Sequence, residues 1–352
     1  MIRVLVVDDS AVMRAFMSRL VASQPDMELV GIVPDPLLAV ERVRVASPDV
    51  LTLDVEMPRM NGLDFLRRLM AVRPMPVVMI SSLTRQGAEV TLQALELGAV
   101  DFFCKPASFR DLEEVGQEIA SKIRAAARAR VGARAFPRAV APLAPFAGPR
   151  NGLVVGLGAS TGGVEALRCI LERLPANMPP ILVAQHMLPG FTETFARRLD
   201  SVCGLQVRHA SDGEALRPGV VHIAEGGRHL LLAGRPGAYR VRVTDDPPHN
   251  RHRPSVDLLF QSLASCAGAR AVGVLLTGMG SDGAEGMRML RAAGGRTMAQ
   301  DEATCVVFGM PRQAIALGAV QEIVPLPLVA PRLIELCADQ APAPLTNPRE
   351  LR

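Results

Sequence analysis

Three residues, Ser160, His186 and Asp282, are of the types that together perform acyl transfer. Gly158-Ala159-Ser160-Thr161-Gly162 is a G-x-S-x-G sequence that follows the apolar run Leu153–Leu157 and opens an amphipathic stretch at Gly163. Such a turn sets a serine on a tight strand-to-helix corner with backbone N–H groups close by. The same glycines could form a dinucleotide loop. For that reading the third glycine of Gly156–Gly163 falls one residue late, and the next strand ends in Gln185-His186 rather than in an acid. A serine hydroxyl needs an adjacent base, and an imidazole needs an acid to fix its tautomer. His186 ends the apolar run Ile181–Gln185, and Asp282 lies in Thr277-Gly278-Met279-Gly280-Ser281-Asp282-Gly283, just after a third apolar run. The N–H of Met279, between two glycines, is a candidate oxyanion donor, a contribution of roughly 3–4 kcal/mol where such donors have been removed. The chain order Ser, His, Asp differs from that of the α/β-hydrolases and of both serine-protease types.

A second group of chemically capable residues lies in the first third of the chain. Apolar runs end in Asp8-Asp9, in Asp54, in Ser81-Ser82 and in Lys105-Pro106. Three carboxylates brought together repel unless a hard divalent cation such as Mg²⁺ sits among them. A hydroxyl and Lys105 would then face a phosphoryl group on Asp54. The chain has 39 Lys and Arg, of which only two, Lys105 and Lys122, are lysines. A lysine at a strand end in so arginine-rich a chain suggests selection for a compact ammonium.

The elements that must position these residues follow from the hydrophobic pattern. Strands are expected at Ile2–Val7, Glu28–Val33, Asp49–Leu53, Pro76–Ile80 and Val100–Cys104, with helices at Ala11–Ser23, Gly62–Ala71 and Arg85–Leu97 between them. Repeated βα units imply a parallel sheet covered on both faces, with functional residues at the carboxyl ends of its strands. The alternation restarts with strand Leu153–Leu157, helix Gly163–Leu174, strand Ile181–Gln185 and helix Thr192–Cys203. Leu205–Val243 reads as short strands and turns with a hairpin across Arg235–Gly237, and the parallel pattern resumes at Ala271–Thr277. The expected division is a first domain over 1–124, an Ala/Pro/Arg-rich linker over 125–150, a second domain over 151–340 and a flexible tail over 341–352.

Composition narrows the function classes. The net charge is +4, but seven cations and no acid lie between Lys122 and Arg150, and without them the formal charge is about −3. With no Trp and one Tyr there is little to stack on bases, so nucleic acid is not an expected partner. The apolar runs are of strand length, and Met1–Ser10 passes from apolar residues straight into two acids. Neither a membrane insertion nor a signal peptide is expected. The six cysteines include no C-x-x-C pair, which suits a reducing cytoplasm.

Met1 to about Lys122 resembles a response-regulator receiver domain through Asp8-Asp9, Asp54 with Met57-Pro58 and Asn61-Gly62, Ser81 and Lys105-Pro106. The resemblance implies a flavodoxin-like fold of strand order 2-1-3-4-5. It also implies Mg²⁺ held by Asp8, Asp9, Asp54 and the carbonyl of Glu56, and phosphorylation of Asp54 by a chemotaxis histidine kinase. Ser81 (with Ser82 beside it) is the implied switch hydroxyl and Phe102 the implied switch aromatic. Residues from about Asn151 to Cys337 resemble the catalytic domain of CheB-type protein-glutamate methylesterases, through Gly158–Gly163, Gln185–Met187, Phe191–Leu199, Arg253–Asp257 and Thr277–Met287. That resemblance implies a doubly wound, mostly parallel α/β hydrolytic domain with no cofactor. Ser160 would be nucleophile, His186 general base and acid, and Asp282 the orienting carboxylate, with Thr161 and Met279 near the oxyanion. The implied substrates are glutamate methyl esters, and some glutamines, of methyl-accepting chemotaxis receptors.

His249, His252 and Arg253 precede Pro254-Ser255-Val256-Asp257 and fit equally well as cleft residues or as a loop before a helix. No role is assigned to His209, His222 or His229. Competing functions are a non-catalytic phosphorylation-gated binding module, a receiver with a DNA-binding output, and a general small-ester hydrolase. The receiver is expected to dock over the catalytic edge and block it until Asp54 is phosphorylated.

Overall fold

The computed structural model describes residues 1–82, 84–105, 112–129, 131 and 152–338. Most of the expected linker, the expected tail and Pro106 lie outside the described residues.

The first domain is a five-stranded parallel sheet of β1 (Ile2–Val7), β2 (Met27–Val33), β3 (Val50–Asp54), β4 (Val77–Ser81) and β5 (Asp101–Cys104), in the order β2-β1-β3-β4-β5. The helices α1 (Ala11–Ser23), α2 (Pro36–Ala46), α3 (Gly62–Val72), α4 (Arg85–Glu96) and α5 (Leu112–Ala127) alternate with the strands. β3 and β4 are buried along their whole length, as a sheet covered on both faces requires. Side-chain caps set where helices begin: Ser10 accepts from Met13 N–H, Asp35 from Leu37 N–H, Asn61 from Asp64 N–H and Thr84 from Gly87 N–H. The order reverses direction at β1/β3, so the carboxyl ends of those strands open a crevice.

The second domain is a seven-stranded parallel sheet in the order β14-β13-β12-β6-β7-β9-β8. Its strands are β6 (Val154–Ala159), β7 (Ile181–Gln185), β8 (Gln206–His209), β9 (Val220–Ile223), β12 (Ala271–Leu275), β13 (Arg296–Gln300) and β14 (Glu322–Val324). β10 (His229–Ala233) and β11 (Arg240–Thr244) form a separate antiparallel hairpin turning across Arg235–Gly237, as expected. The helices are α6 (Gly163–Leu171), α7 (Phe191–Val202), α8 (Val256–Cys266), α9 (Ala284–Ala292), α10 (Met310–Ala316) and α11 (Leu326–Cys337).

The middle of the chain differs from expectation. The short strands expected here include β8 and β9, which are parallel members of the main sheet, a pairing the sequence pattern does not indicate. The segment joining them contains no helix, so the pattern that marks a parallel crossover is missing from the sequence.

Candidate active site and acidic pocket

β6, β7 and β12 bring Ser160, His186 and Asp282 to one edge of the second sheet. β6 and β7 pair in register with Ala159 opposite Gln185, so Ser160 and His186 follow on neighbouring strands, spaced by about 4.8 Å. His186 N–H donates to the carbonyl of Ala159 at 3.0 Å, and Gln185 Nε2 donates to the carbonyl of Ser160 at 3.0 Å. Beyond Ser160 the chain turns sharply through Gly162, whose φ of 79° favours glycine, into α6. The Gly278 backbone packs against Ser160 so closely that a Cβ on it would stand 2.7 Å from the Ser160 Cβ.

Asp282 receives its partners from the start of α8. Its Oδ2 lies 2.8 Å from His186 Nε2 and accepts from Val256 N–H at 2.7 Å. Its Oδ1 accepts from Ser255 Oγ at 2.9 Å and Asp257 N–H at 3.2 Å. Burial alone would push this carboxyl up. The His186 hydrogen bond and charge, with Val256 N–H and the Ser255 hydroxyl, outweigh burial and hold it well below the usual carboxylate range. Asp257 reciprocates one turn later, accepting from Gly286 N–H of α9 at 2.7 Å. The acid is therefore fixed by two interlocked helix N-termini.

A carboxylate only accepts, so His186 Nε2 carries the proton and Nδ1 is left with its lone pair. Nδ1 is buried and has no hydrogen-bond partner. The imidazole is thus held in the tautomer in which its other nitrogen can take a proton from a hydroxyl on the neighbouring strand. Its ring face is fixed as well. His252 stacks on it with centroids 3.8 Å apart and planes 11° apart, and burial, then the proximity of His186, lowers His252 to about 4. The Met279 N–H makes no hydrogen bond among the described residues, and Met279 is 38% exposed at the cleft.

The first domain covers this edge. A cleft of about 1170 Å³ is lined by Ser160, His186 and Met279 on one side and by Asp101, Phe102 and Lys122 on the other. Thr161 Oγ1 donates to Asp101 Oδ2 at 2.5 Å, and Asp101 Oδ1 accepts from Lys122 Nζ at 3.1 Å. Phe102 stacks on Phe191 with centroids 4.7 Å apart. Arg198 of α7 makes two hydrogen bonds to Glu96 of α4, at 2.6 and 3.1 Å.

The acidic pocket lies at the carboxyl ends of β1 and β3. One oxygen from each of Asp8, Asp9 and Asp54 falls within 4.8 Å of the others. Asp8 Oδ2 is buried with no partner, and Lys105 Nζ donates to Asp54 Oδ2 at 2.6 Å. Burial raises Asp8, and burial with the neighbouring Asp8 raises Asp54 to about 6 in spite of Lys105. Three such carboxylates, one of them with an orphaned oxygen, fit a hard divalent cation. Glu56 N–H bonds Asp54 Oδ1 at 3.3 Å, and the Glu56 side chain accepts from Ser82 Oγ at 3.0 Å. Ser81 is turned from the pocket into α4, where its Oγ lies 2.7 Å from Thr91 Oγ1 and 3.3 Å from the carbonyl of Gly87.

The sequence pattern assigns no role to Asp101, Asn250 or Lys122, and marks Ser255 and Asp257 only as a helix start, without their contacts to Asp282. Lys122 carried a usable signal, being the only other lysine in the chain; the acids look like ordinary helix and strand ends.

The two halves define a class: a response-regulator receiver joined to an α/β domain that carries a serine, histidine and aspartate on one sheet edge. Family models agree, with CheB methylesterase matching residues 155–333 and the response regulator receiver domain matching residues 4–116. The chain is 56% identical over 345 residues to the protein-glutamate methylesterase/protein-glutamine glutaminase of Bordetella pertussis, covering 96% of this chain and 98% of that one. It is 53% identical to the Salmonella typhimurium protein of the same name, over 97% and 98% of the two chains. The crystal structure of the Thermotoga maritima CheB methylesterase catalytic domain superposes with a TM-score of 0.52 at 41% identity, covering 53% of this chain and all of that one. This chain belongs to the CheB methylesterase family.

Proposed function

We propose that the chain hydrolyses glutamate methyl esters, and deamidates certain glutamines, on chemotaxis receptors, with Ser160 as nucleophile and the receiver as its phosphorylation-controlled cover. Ser160 Oγ attacks the γ-carbonyl while His186 Nδ1 takes its proton, and Asp282 stabilises the imidazolium. The tetrahedral oxyanion rests on backbone N–H groups, that of Met279 among them. The imidazolium protonates the leaving oxygen and methanol departs. Water, deprotonated at His186, then hydrolyses the acyl-enzyme to glutamate; from a glutamine the same steps release ammonia. The observation that carries this reading is the His186–Asp282 pair, which leaves a partnerless ring nitrogen on the strand beside Ser160.

In the receiver, Asp8, Asp9, Asp54 and the Glu56 carbonyl would hold Mg²⁺, whose charge offsets that of the carboxylates and of an incoming phosphoryl group. A chemotaxis histidine kinase is the phosphodonor, Asp54 the acceptor, and Lys105 the cation facing the new phosphoryl oxygens. Ser81, released from Thr91 and Gly87, would follow. Phe102 and Asp101 lie on the strand next to Ser81, so a shift there loosens their hold on Phe191 and Thr161. The domain limits proposed are a receiver over 1–124 and a catalytic domain over 151–340. Among the described residues no helix is long and apolar enough to cross a membrane, and we place the enzyme in the cytoplasm beside its receptors.

Methanol release from methylated receptor membranes, with and without a phosphodonor, tests the reading. Wild type should release methanol, faster with the donor, and Ser160→Ala should release none while keeping its fold. Full activity in Ser160→Ala would remove the nucleophile from the scheme.

A further inference from the structure

The turn that carries His252 also presents a cation. His249 and His252 close a two-residue hairpin turn with hydrogen bonds of 3.1 and 2.8 Å between their backbones. Its two central residues, Asn250 and Arg251, have φ of 50° and 66°. Left-handed backbone at two successive non-glycine residues is uncommon and persists where its surroundings hold it. Here the surroundings are the catalytic acid's own network. Asn250 Nδ2 donates to Asp257 Oδ2 at 2.7 Å and approaches Asp282 Oδ1 at 3.5 Å. His252, at the end of the turn, stacks on His186. Arg251 is therefore tied on both sides to the His186–Asp282 pair.

Arg251 itself is exposed, lines the same cleft as Ser160 and Met279, and makes no ion pair or hydrogen bond among the described residues. The neighbouring carboxylates cannot neutralise it. Asp257 and Asp282 are buried, at 2% and 1% exposure, and are engaged elsewhere. Arg253, two residues on, directs its guanidinium to the carbonyls of Asp245 and Asp246. Opening the receiver would carry Lys122 away and leave Arg251 as the uncommitted cation of this turn.

We propose that Arg251 is a specificity-determining residue that pairs with a carboxylate next to the esterified side chain on the substrate protein, so that an acidic helical surface is selected. This rests on the reading of the site as a receptor glutamate methylesterase. A guanidinium meets a carboxylate in a two-point fork, and the strained turn fixes where that fork stands relative to Ser160. A helix that presents an esterified glutamate at the site would carry its companion carboxylate three or four residues away, on the same face.

The test uses the full chain activated with beryllofluoride and Mg²⁺. It compares kcat/KM on methylated receptor membranes with kcat/KM on a small neutral glutamate γ-methyl ester. Arg251→Gly suits the left-handed backbone and removes only the side chain. It should lower the receptor-to-small-ester ratio about tenfold, mainly through KM on the receptor, and flatten the salt dependence of that KM. Arg251→Lys should recover part of the ratio, and Arg251→Glu should lower it further. An unchanged ratio in Arg251→Gly, or equal losses on both substrates, would overturn the assignment. Wild type inert on receptors yet active on the small ester would instead remove the reading of the substrate, and Arg251's role with it.

Discussion

Thr161 and Asp101, sixty residues apart and on different domains, share a hydrogen bond of 2.5 Å one residue from the candidate nucleophile. The hydroxyl that the family resemblance sets near the oxyanion is thus committed to the receiver. Asp101→Ala should raise methanol release by the full chain several-fold without a phosphodonor and shrink the stimulation that a donor gives. Asp101→Asn keeps an acceptor and should do less. A resting rate in Asp101→Ala as low as that of wild type would mean that this contact restrains nothing.

Asp282 is both the partner of His186 and the acceptor at the start of α8. Asp282→Asn keeps a side chain of the same shape but can present its amide to His186, which favours the wrong tautomer. A loss of kcat of about 10³- to 10⁴-fold is expected, as where a triad aspartate is so replaced. The melting temperature should fall as well, because a charged cap becomes neutral. Unaltered kcat would separate Asp282 from the chemistry.

His252 offers His186 a flat face and is lowered to about 4, so it is neutral near pH 7. Its contribution is then packing rather than charge. His252→Phe should keep most of the activity, and His252→Ala should reduce kcat about tenfold. Comparable losses in both variants, read in steady-state kinetics, would argue that the ring nitrogens matter.

Asp54, raised to about 6 by burial and by Asp8, gives the Mg²⁺-free receiver a predictable pH response. Its folded-state value lies above the unfolded value of about 3.9, so the native state holds the proton more tightly. The stability contribution of this group should therefore rise as pH falls from about 6 towards 4. Asp54→Asn should lack that increment. Melting curves of the two proteins in chelator across this window should converge at low pH, with the variant the more stable near pH 7. Mg²⁺ affinity should weaken below pH 6, because the ligand form of the carboxylate is lost.

Much of this was legible in the sequence because strand ends are legible. Ile2–Val7, Ala11–Ser23 and Ile181–Gln185 have the same limits in the sequence pattern and in the fold, and the residues just past such limits are the ones that gather in both sites. β8 and β9 were not recognised as parallel strands because no helix separates them. The shell around Asp282 was hidden for a different reason. Ser255 and Asp257 look like an ordinary cap and first turn, and nothing local tells that the Ser255 hydroxyl and the N–H groups of Val256 and Asp257 face an acid some 25 residues further on. The Thr161–Asp101 contact was hidden because it depends on how the two domains meet.

In the proposed function Ser160, made nucleophilic by His186, is held under the receiver until Asp54 is phosphorylated. Labelling by a small fluorophosphonate, followed by mass spectrometry of the full chain with and without beryllofluoride and Mg²⁺, tests it directly. One label on Ser160 is predicted, slow at rest, several-fold faster with beryllofluoride, and nearly abolished in His186→Ala. A label on another residue, or equal rates in all three conditions, would contradict it.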